Sequence, residues 1–180
     1  MSSGVLIAFD TLSDDDAQEL YRLSRFYWRE ARRCEKAGAY LAGCVILGSA
    51  LETDLMLMVN VFAEEAEATG KLPTRKGKPK ALLDWDLGEL LRVAKAARWL
   101  PTSDDPNHNY HLKKAKIGDF AEIVREMRNL AHPARYRKDH SRKRVTARYL
   151  QRQFDLVEIC RDWLVAYNNN ALREALKDIE

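Results

Sequence analysis

The alternation of apolar and polar positions predicts a chain built from helices. Leu20, Leu23, Tyr27 and Ala31 recur at helical spacing behind Ser13, an N-cap followed by Asp14, Asp15 and Asp16 at the positive end of a helix dipole. A first helix is therefore expected over 14–36, closing near Gly38. Over 39–68, Leu41, Val45, Gly48, Leu55, Val59 and Phe62 keep one stripe continuous, which marks this segment as the central and most buried helix. The small residues Ala42, Gly43, Gly48, Ser49 and Ala50 include poor helix formers, a cost that makes sense where another backbone approaches closely. Glu52 and Asp54 then enter an otherwise apolar stretch.

The segment GKLPTRKGKPK, residues 70–80, carries two Gly, two Pro and five basic residues and reads as a mobile connector inside the fold. A third helix is expected over 84–98, with Leu87, Leu90, Leu91, Val93, Ala94 and Ala97 on its apolar side and Pro101 enforcing its end. A polar loop, Thr102 to Tyr110, follows. Phe120, Ile123, Val124, Met127 and Ala131 predict a fourth helix from Ile117 to about Ala131, with His132 at its end because Pro133 disfavours helix there. After a basic loop from Pro133 to Arg144, Thr146 caps a last long helix that buries Leu150, Phe154, Val157, Trp163 and Leu164, with a break expected at Asn168 to Asn170. The fold class is all-α, an up-and-down bundle of four to six helices. Residues 1–36 form an N-terminal segment and helix packed on a bundle of 37–180, without internal repeats.

At 180 residues the chain is long enough to bury a core without disulfides or metals as staples. Cys34, Cys44 and Cys160 are odd in number and form no CxxC pair, so they read as small apolar residues in a reducing compartment. Val5 to Phe9 lacks the basic flank and length of a signal peptide. Ala37 to Leu51 is interrupted by three Gly, so a cytoplasmic protein without membrane contact is expected. A net charge of +3 does not by itself imply nucleic-acid binding. His108 and His111 form an HxxH without a third clustered ligand, so neither a metal nor a cofactor is expected. GxxxxGK[ST], GxGxxG and GxSxG are all absent, which removes the usual signatures of NTPases, Rossmann enzymes and α/β-hydrolases.

The chemistry concentrates in VREMRNLAHP. On one continuous helix, Arg125, Arg128 and His132 stand at offsets of 0, 3 and 7, with Asn129 beside them, so four polar groups gather along one edge. A solvated face with a histidine attracted to the helix C-terminus would have the same spacing. From Arg135 to Arg148, seven Lys or Arg interleave with Tyr136 and His140. Arg135, Arg137, Lys138 and Tyr136 are thus candidates to hold a phosphate backbone beside the motif, the alternative being a solvated loop.

The bundle order, the LGSALETDLMLMV helix and the REMRNLAHPARY segment before a final long helix together resemble a HEPN domain over about residues 38–168. In that family an Arg and a His four to six residues apart, commonly with a polar residue after the Arg, mark metal-independent endoribonucleases and their inactive relatives. Arg125 and His132 have six residues between them and match that spacing. Arg128, which is followed by the polar Asn129, has three and departs from it. The resemblance leaves open which arginine serves the motif, and places Glu52 near a loosely similar acidic position. It implies RNA or a nucleotide as ligand, a homodimer that brings two motifs across one cleft, and a toxin or defence role with a cognate antitoxin. The alternative is a non-catalytic helical module that binds a nucleotide or a protein, or serves dimerisation.

Overall fold

The computed structural model describes residues 7–102, 116–139 and 144–177. Seven α-helices occupy most of them: α1 Asp14–Lys36, α2 Tyr40–Val61, α3 Ala63–Ala68, α4 Leu87–Ala96, α5 Ile117–Asn129, α6 Pro133–Asp139 and α7 Ala147–Lys177. Their starts carry the expected chemistry. Ser13 Oγ accepts from Asp16 N at 3.1 Å, and Thr146 Oγ1 accepts from Tyr149 N at 3.3 Å. At α4 a reciprocal capping box joins Asp86 and Glu89, both bonds 2.9 Å long, which sets the start of the helix at Leu87 rather than 84.

α2 is the axis of the fold and packs against α1, α4, α5 and α7. Leu47, Leu51, Leu55 and Val59 are fully buried and join Leu90 and Leu91 of α4, Val124 of α5 and Leu150, Phe154 and Val157 of α7 in one core. A helix surrounded in this way must be apolar on nearly every side, and α2 is the one described helix long and apolar enough to cross a bilayer by length and composition alone. Over half of its most apolar window, 56%, lies inside the protein. One of its two carboxylates, Asp54, is held from two sides: Ser24 Oγ donates to Oδ1 at 2.5 Å, and Arg161 Nε lies 2.9 Å from Oδ2 without the alignment of a hydrogen bond. The Arg161 guanidinium also stands 5.0 Å from the Trp28 ring centroid. Burial pushes the Asp54 carboxyl above its usual range, against the pull of Arg161 and Ser24. The two buried thiols, Cys44 and Cys160, are pushed by burial to about 12 and sit in the core as small apolar groups.

Five expectations are corrected. The helix expected over 39–68 breaks at Phe62, whose backbone (φ −112°, ψ 45°) leaves the helical region. The break turns α3 so that Glu65 Oε2 accepts from Trp99 Nε1 at 2.8 Å and from the Tyr167 hydroxyl at 2.9 Å, tertiary bonds that a continuous helix had no way to announce. The connector over 70–80 contains a two-stranded hairpin, β1 Thr74–Arg75 and β2 Lys78–Pro79, closed by Lys76 and Gly77 at φ 53° and 78°, the left-handed pair of a tight hairpin turn. Part of the basic loop after Pro133 is helical, as α6, because a proline fits the first turn of a helix as readily as it stops the preceding one. α7 runs through Asn168 to Asn170 without a break, these side chains being partly or fully exposed where water rather than the backbone can satisfy them. Trp163 is 43% exposed, and its neighbour Leu164 faces the core instead. Most of the polar loop Thr102 to Tyr110, with His108, as well as His111 and residues 140–143, lies outside the described residues.

The small residues of α2 do admit a close neighbour. A Cβ on Gly48 would lie 2.7 Å from Arg128 Cβ and 2.9 Å from its Cγ, so the stem of Arg128 occupies the room of the missing side chain. Gly48→Ala is accordingly expected to destabilise the fold. Overpacking of about 1–3 kcal/mol outweighs a helix-propensity gain of about 1 kcal/mol. Urea and thermal denaturation should show a net loss of up to about 2 kcal/mol and an unchanged m-value. Equal or higher stability would mean that α2 and α5 separate freely at this point.

Candidate functional site

α5 supplies the centre of the site. Its first turn is closed by Asp119, whose Oδ2 accepts from Lys116 N at 2.8 Å, and its inner face buries Ala121, Val124 and Met127. That orientation leaves Glu122, Arg125, Arg128 and Asn129 only partly buried, along the sides of the helix. The two arginines diverge. Arg128 turns toward α2, where its Nη2 donates to Glu52 Oε2 at 2.8 Å. Arg125 Nε donates to Glu122 Oε2 at 2.6 Å, and Glu122 also pairs with Lys95 of α4.

A cleft of about 450 Å³ opens between α5, α6 and the start of α7, and Arg125, Asn129, Arg135 and Tyr149 are among its lining residues. Three of the residues singled out in the sequence, Arg125, Asn129 and Arg135, thus share one space. Arg128 does not line this cleft and is tied to Glu52 instead. His132 is exposed on the turn between α5 and α6 and is not among the lining residues. α5 ends at Asn129, two residues before Ala131, and Leu130, Ala131 and His132 continue only in bonds to the third residue back, so the regular α-helical offset of seven from Arg125 to His132 does not hold. The His132 carbonyl instead accepts from Tyr136 N at 3.0 Å, as a residue introducing α6 does. Arg137 and Lys138 are exposed on α6, whereas Tyr136 is half-buried against the core.

No family model, curated protein or solved structure matches this chain. The chemistry of the site therefore has to be read from its own groups. Burial raises the Glu52 carboxyl above its usual range and Asp86 adds to the rise, while Arg128 and a hydrogen bond from the Leu87 backbone oppose it. Glu122 moves the other way. Its burial alone would raise it, yet hydrogen bonds and charge from Lys95 and Arg125 together bring it below the usual range. Burial holds the Tyr149 phenol above its usual range, so at neutral pH it faces the cleft as a hydroxyl. Among the described residues, no group of three or more His, Cys, Asp or Glu side chains could hold a metal ion.

The sequence marks Glu52 only as a carboxylate in an otherwise apolar stretch, and the fold pairs it with Arg128. Sequence reasoning missed Glu122, Lys95 and Tyr149. Glu122 was within reach, since it stands three positions before Arg125 on one helix, a spacing at which opposite charges meet. Lys95 and Tyr149 arrive from α4 and α7, and no local spacing announces them.

The raised carboxyl of Glu52 has a consequence for stability. A group whose folded-state pKa is raised binds its proton more tightly in the fold, so its contribution is complete at low pH and is lost as pH rises through the folded value. The unfolding free energy of the wild type minus that of Glu52→Gln should therefore fall as pH is raised from about 4 to about 7. A constant difference across urea titrations in that range would show that burial and Arg128 cancel at this residue.

Proposed function

We infer that this chain is a HEPN-like helical bundle that engages RNA and cleaves it without a metal ion, working as a homodimer in a toxin or defence setting with a cognate antitoxin. The observation that carries the reading is the meeting of Arg125, Asn129 and Arg135 in one cleft, with His132 on the turn between the helices that supply them. Two guanidinium groups and an amide, set against the single carboxylate of Glu126, suit the non-bridging oxygens of a phosphodiester, because charge-assisted bonds from arginine are short and directional.

In such a reaction the ribose 2′-oxygen attacks phosphorus as its proton leaves to a base, and the 5′-oxygen departs as it gains a proton. The products are a 2′,3′-cyclic phosphate and a 5′-hydroxyl. His132 is the candidate for the proton transfers and Arg125 for stabilising charge on the phosphate, with Arg128 and Glu52 as a positioning pair behind them. One imidazole does not easily serve as acid and base at a single phosphate, which is the reason for proposing two protomers with facing motifs. Arg137 and Lys138, exposed on α6, would extend the cationic surface along the strand, and Tyr136 would brace that helix. A cytoplasmic location accords with this role.

A second reading is favoured by one observation: His132 does not line the cleft that holds Arg125. In that reading the chain is a non-catalytic module that binds a nucleotide or a partner protein through the same arginines. Incubation of the purified protein with total RNA and labelled oligonucleotides in EDTA separates the two. The ribonuclease reading expects fragments ending in 2′,3′-cyclic phosphates, and losses of about 10²–10⁴-fold in rate for His132→Ala with the fold intact by circular dichroism. Absence of cleavage across diverse RNAs, with oligonucleotide binding retained, would favour the binding module.

A further inference from the structure

We propose that a second phosphate subsite for the same polynucleotide strand lies across α4, built by Arg92 and Lys95 and joined to the first cleft through Arg125. It rests on the reading that this chain engages RNA. Gly88, Arg92 and Lys95 stand four and three positions apart, on one face of α4. With Asp86, Glu122 and Arg125 they line a cleft of about 470 Å³. Arg125 belongs to this cleft and to the one formed with Asn129 and Arg135, so the two share one side chain. Arg125 passes over Gly88, where a Cβ would lie in ordinary contact with it, 3.7 Å from Cδ and 3.9 Å from Nη1, and 3.2 Å from Asp86 Oδ1.

The charge balance favours an anion. Arg92, Lys95 and Arg125 face two carboxylates, and both carboxylates are engaged within the protein. Asp86 accepts from Glu89 N at 2.9 Å, while Glu122 accepts from Arg125 at 2.6 Å and pairs with Lys95. Arg92 is exposed on this face and carries the surplus positive charge. Among the described residues no aromatic side chain lines the cleft, and its charged groups suit a phosphate better than a base. The neighbouring cleft sets Arg125 and Arg135 against Glu126, so each cleft has one positive charge in excess, and two such clefts that share an arginine match the repeating charges of a phosphodiester chain, whereas an isolated anion would occupy only one of them. The strand path runs from Arg92 and Lys95, past Arg125, to Asn129 and Arg135.

Fluorescence anisotropy tests this with a labelled 2′-O-methyl RNA of about twelve nucleotides, which binds as a strand but has no free 2′-hydroxyl for cleavage. The full-length wild type is compared with Arg92→Ala, Arg92→Lys and, as a charge control on α1, Arg22→Ala across a KCl series. Arg92→Ala is expected to flatten the dependence of log K on log salt by about 0.7 and to weaken binding about 5-fold at about 0.1 M salt, the effect of losing one phosphate contact on a single strand. Arg92→Lys should keep the slope, Arg22→Ala should change neither value, and a dinucleotide with a single phosphate should bind Arg92→Ala and the wild type alike. Wild-type binding with an unchanged slope in Arg92→Ala would overturn the subsite alone. An equal loss for the dinucleotide would make it a site for isolated anions and overturn the strand path. Failure of the wild type to bind any oligonucleotide would overturn both this inference and the reading beneath it. Arg92-dependent binding without cleavage of unmodified RNA would leave the subsite standing and remove the ribonuclease reading.

Discussion

The approach of α5 to α2 at Gly48 governs the rest of the structure. The absence of a side chain at that position lets the stem of Arg128 lie against the α2 backbone, and one turn further along the same face Glu52 receives the Arg128 guanidinium. A larger residue at Gly48 would displace α5, and with it Arg125, Asn129 and the turn that carries His132. Close packing transmits such a displacement, because a core at crystal-like density has no slack in which to absorb a methyl group. The glycine therefore acts on the site through the spacing of two helices.

The two arginines of the motif are handled alike: each is met by a half-buried carboxylate. Their protonation balances differ, because Arg128 and a backbone bond do not overcome the burial of Glu52, while Lys95 and Arg125 together overcome that of Glu122. The fold thus favours the protonated form of Glu52 and the ionised form of Glu122, each relative to a free carboxyl. A guanidinium held by an ionised carboxylate is pre-oriented, which lowers the entropy lost when it meets a phosphate. Arg125, held in this way and present in both clefts, is the better placed of the two for contact with a ligand.

Most of the architecture was legible along the chain, for local reasons. Ser13 and Thr146 cap the helices they were expected to cap, since a hydroxyl at that position accepts from a backbone N–H only three residues on. The long apolar stripe of α2 marked it as central, because only a helix with neighbours on most sides can hide such a surface. The Phe62 break and the continuity of α7 through Asn168 to Asn170 were not legible. The first depends on Trp99 and Tyr167 reaching Glu65 from distant segments, and the second on which face of α7 meets water.

The sequence by itself determined that the chain is helical, where most of its helices begin, and that charged groups cluster between Arg125 and Lys138, since each follows from spacing along one or two turns of chain. Tertiary structure alone decided which of those charges share a space. It sent Arg128 to Glu52, left Arg125 between two clefts, and ended α5 at Asn129 so that His132 follows a turn rather than the helix edge. The physical reason is range. Caps and amphipathic stripes act over a few residues, whereas the direction a long side chain takes is set by partners that only the packing of α2, α4 and α7 around α5 brings within bonding distance.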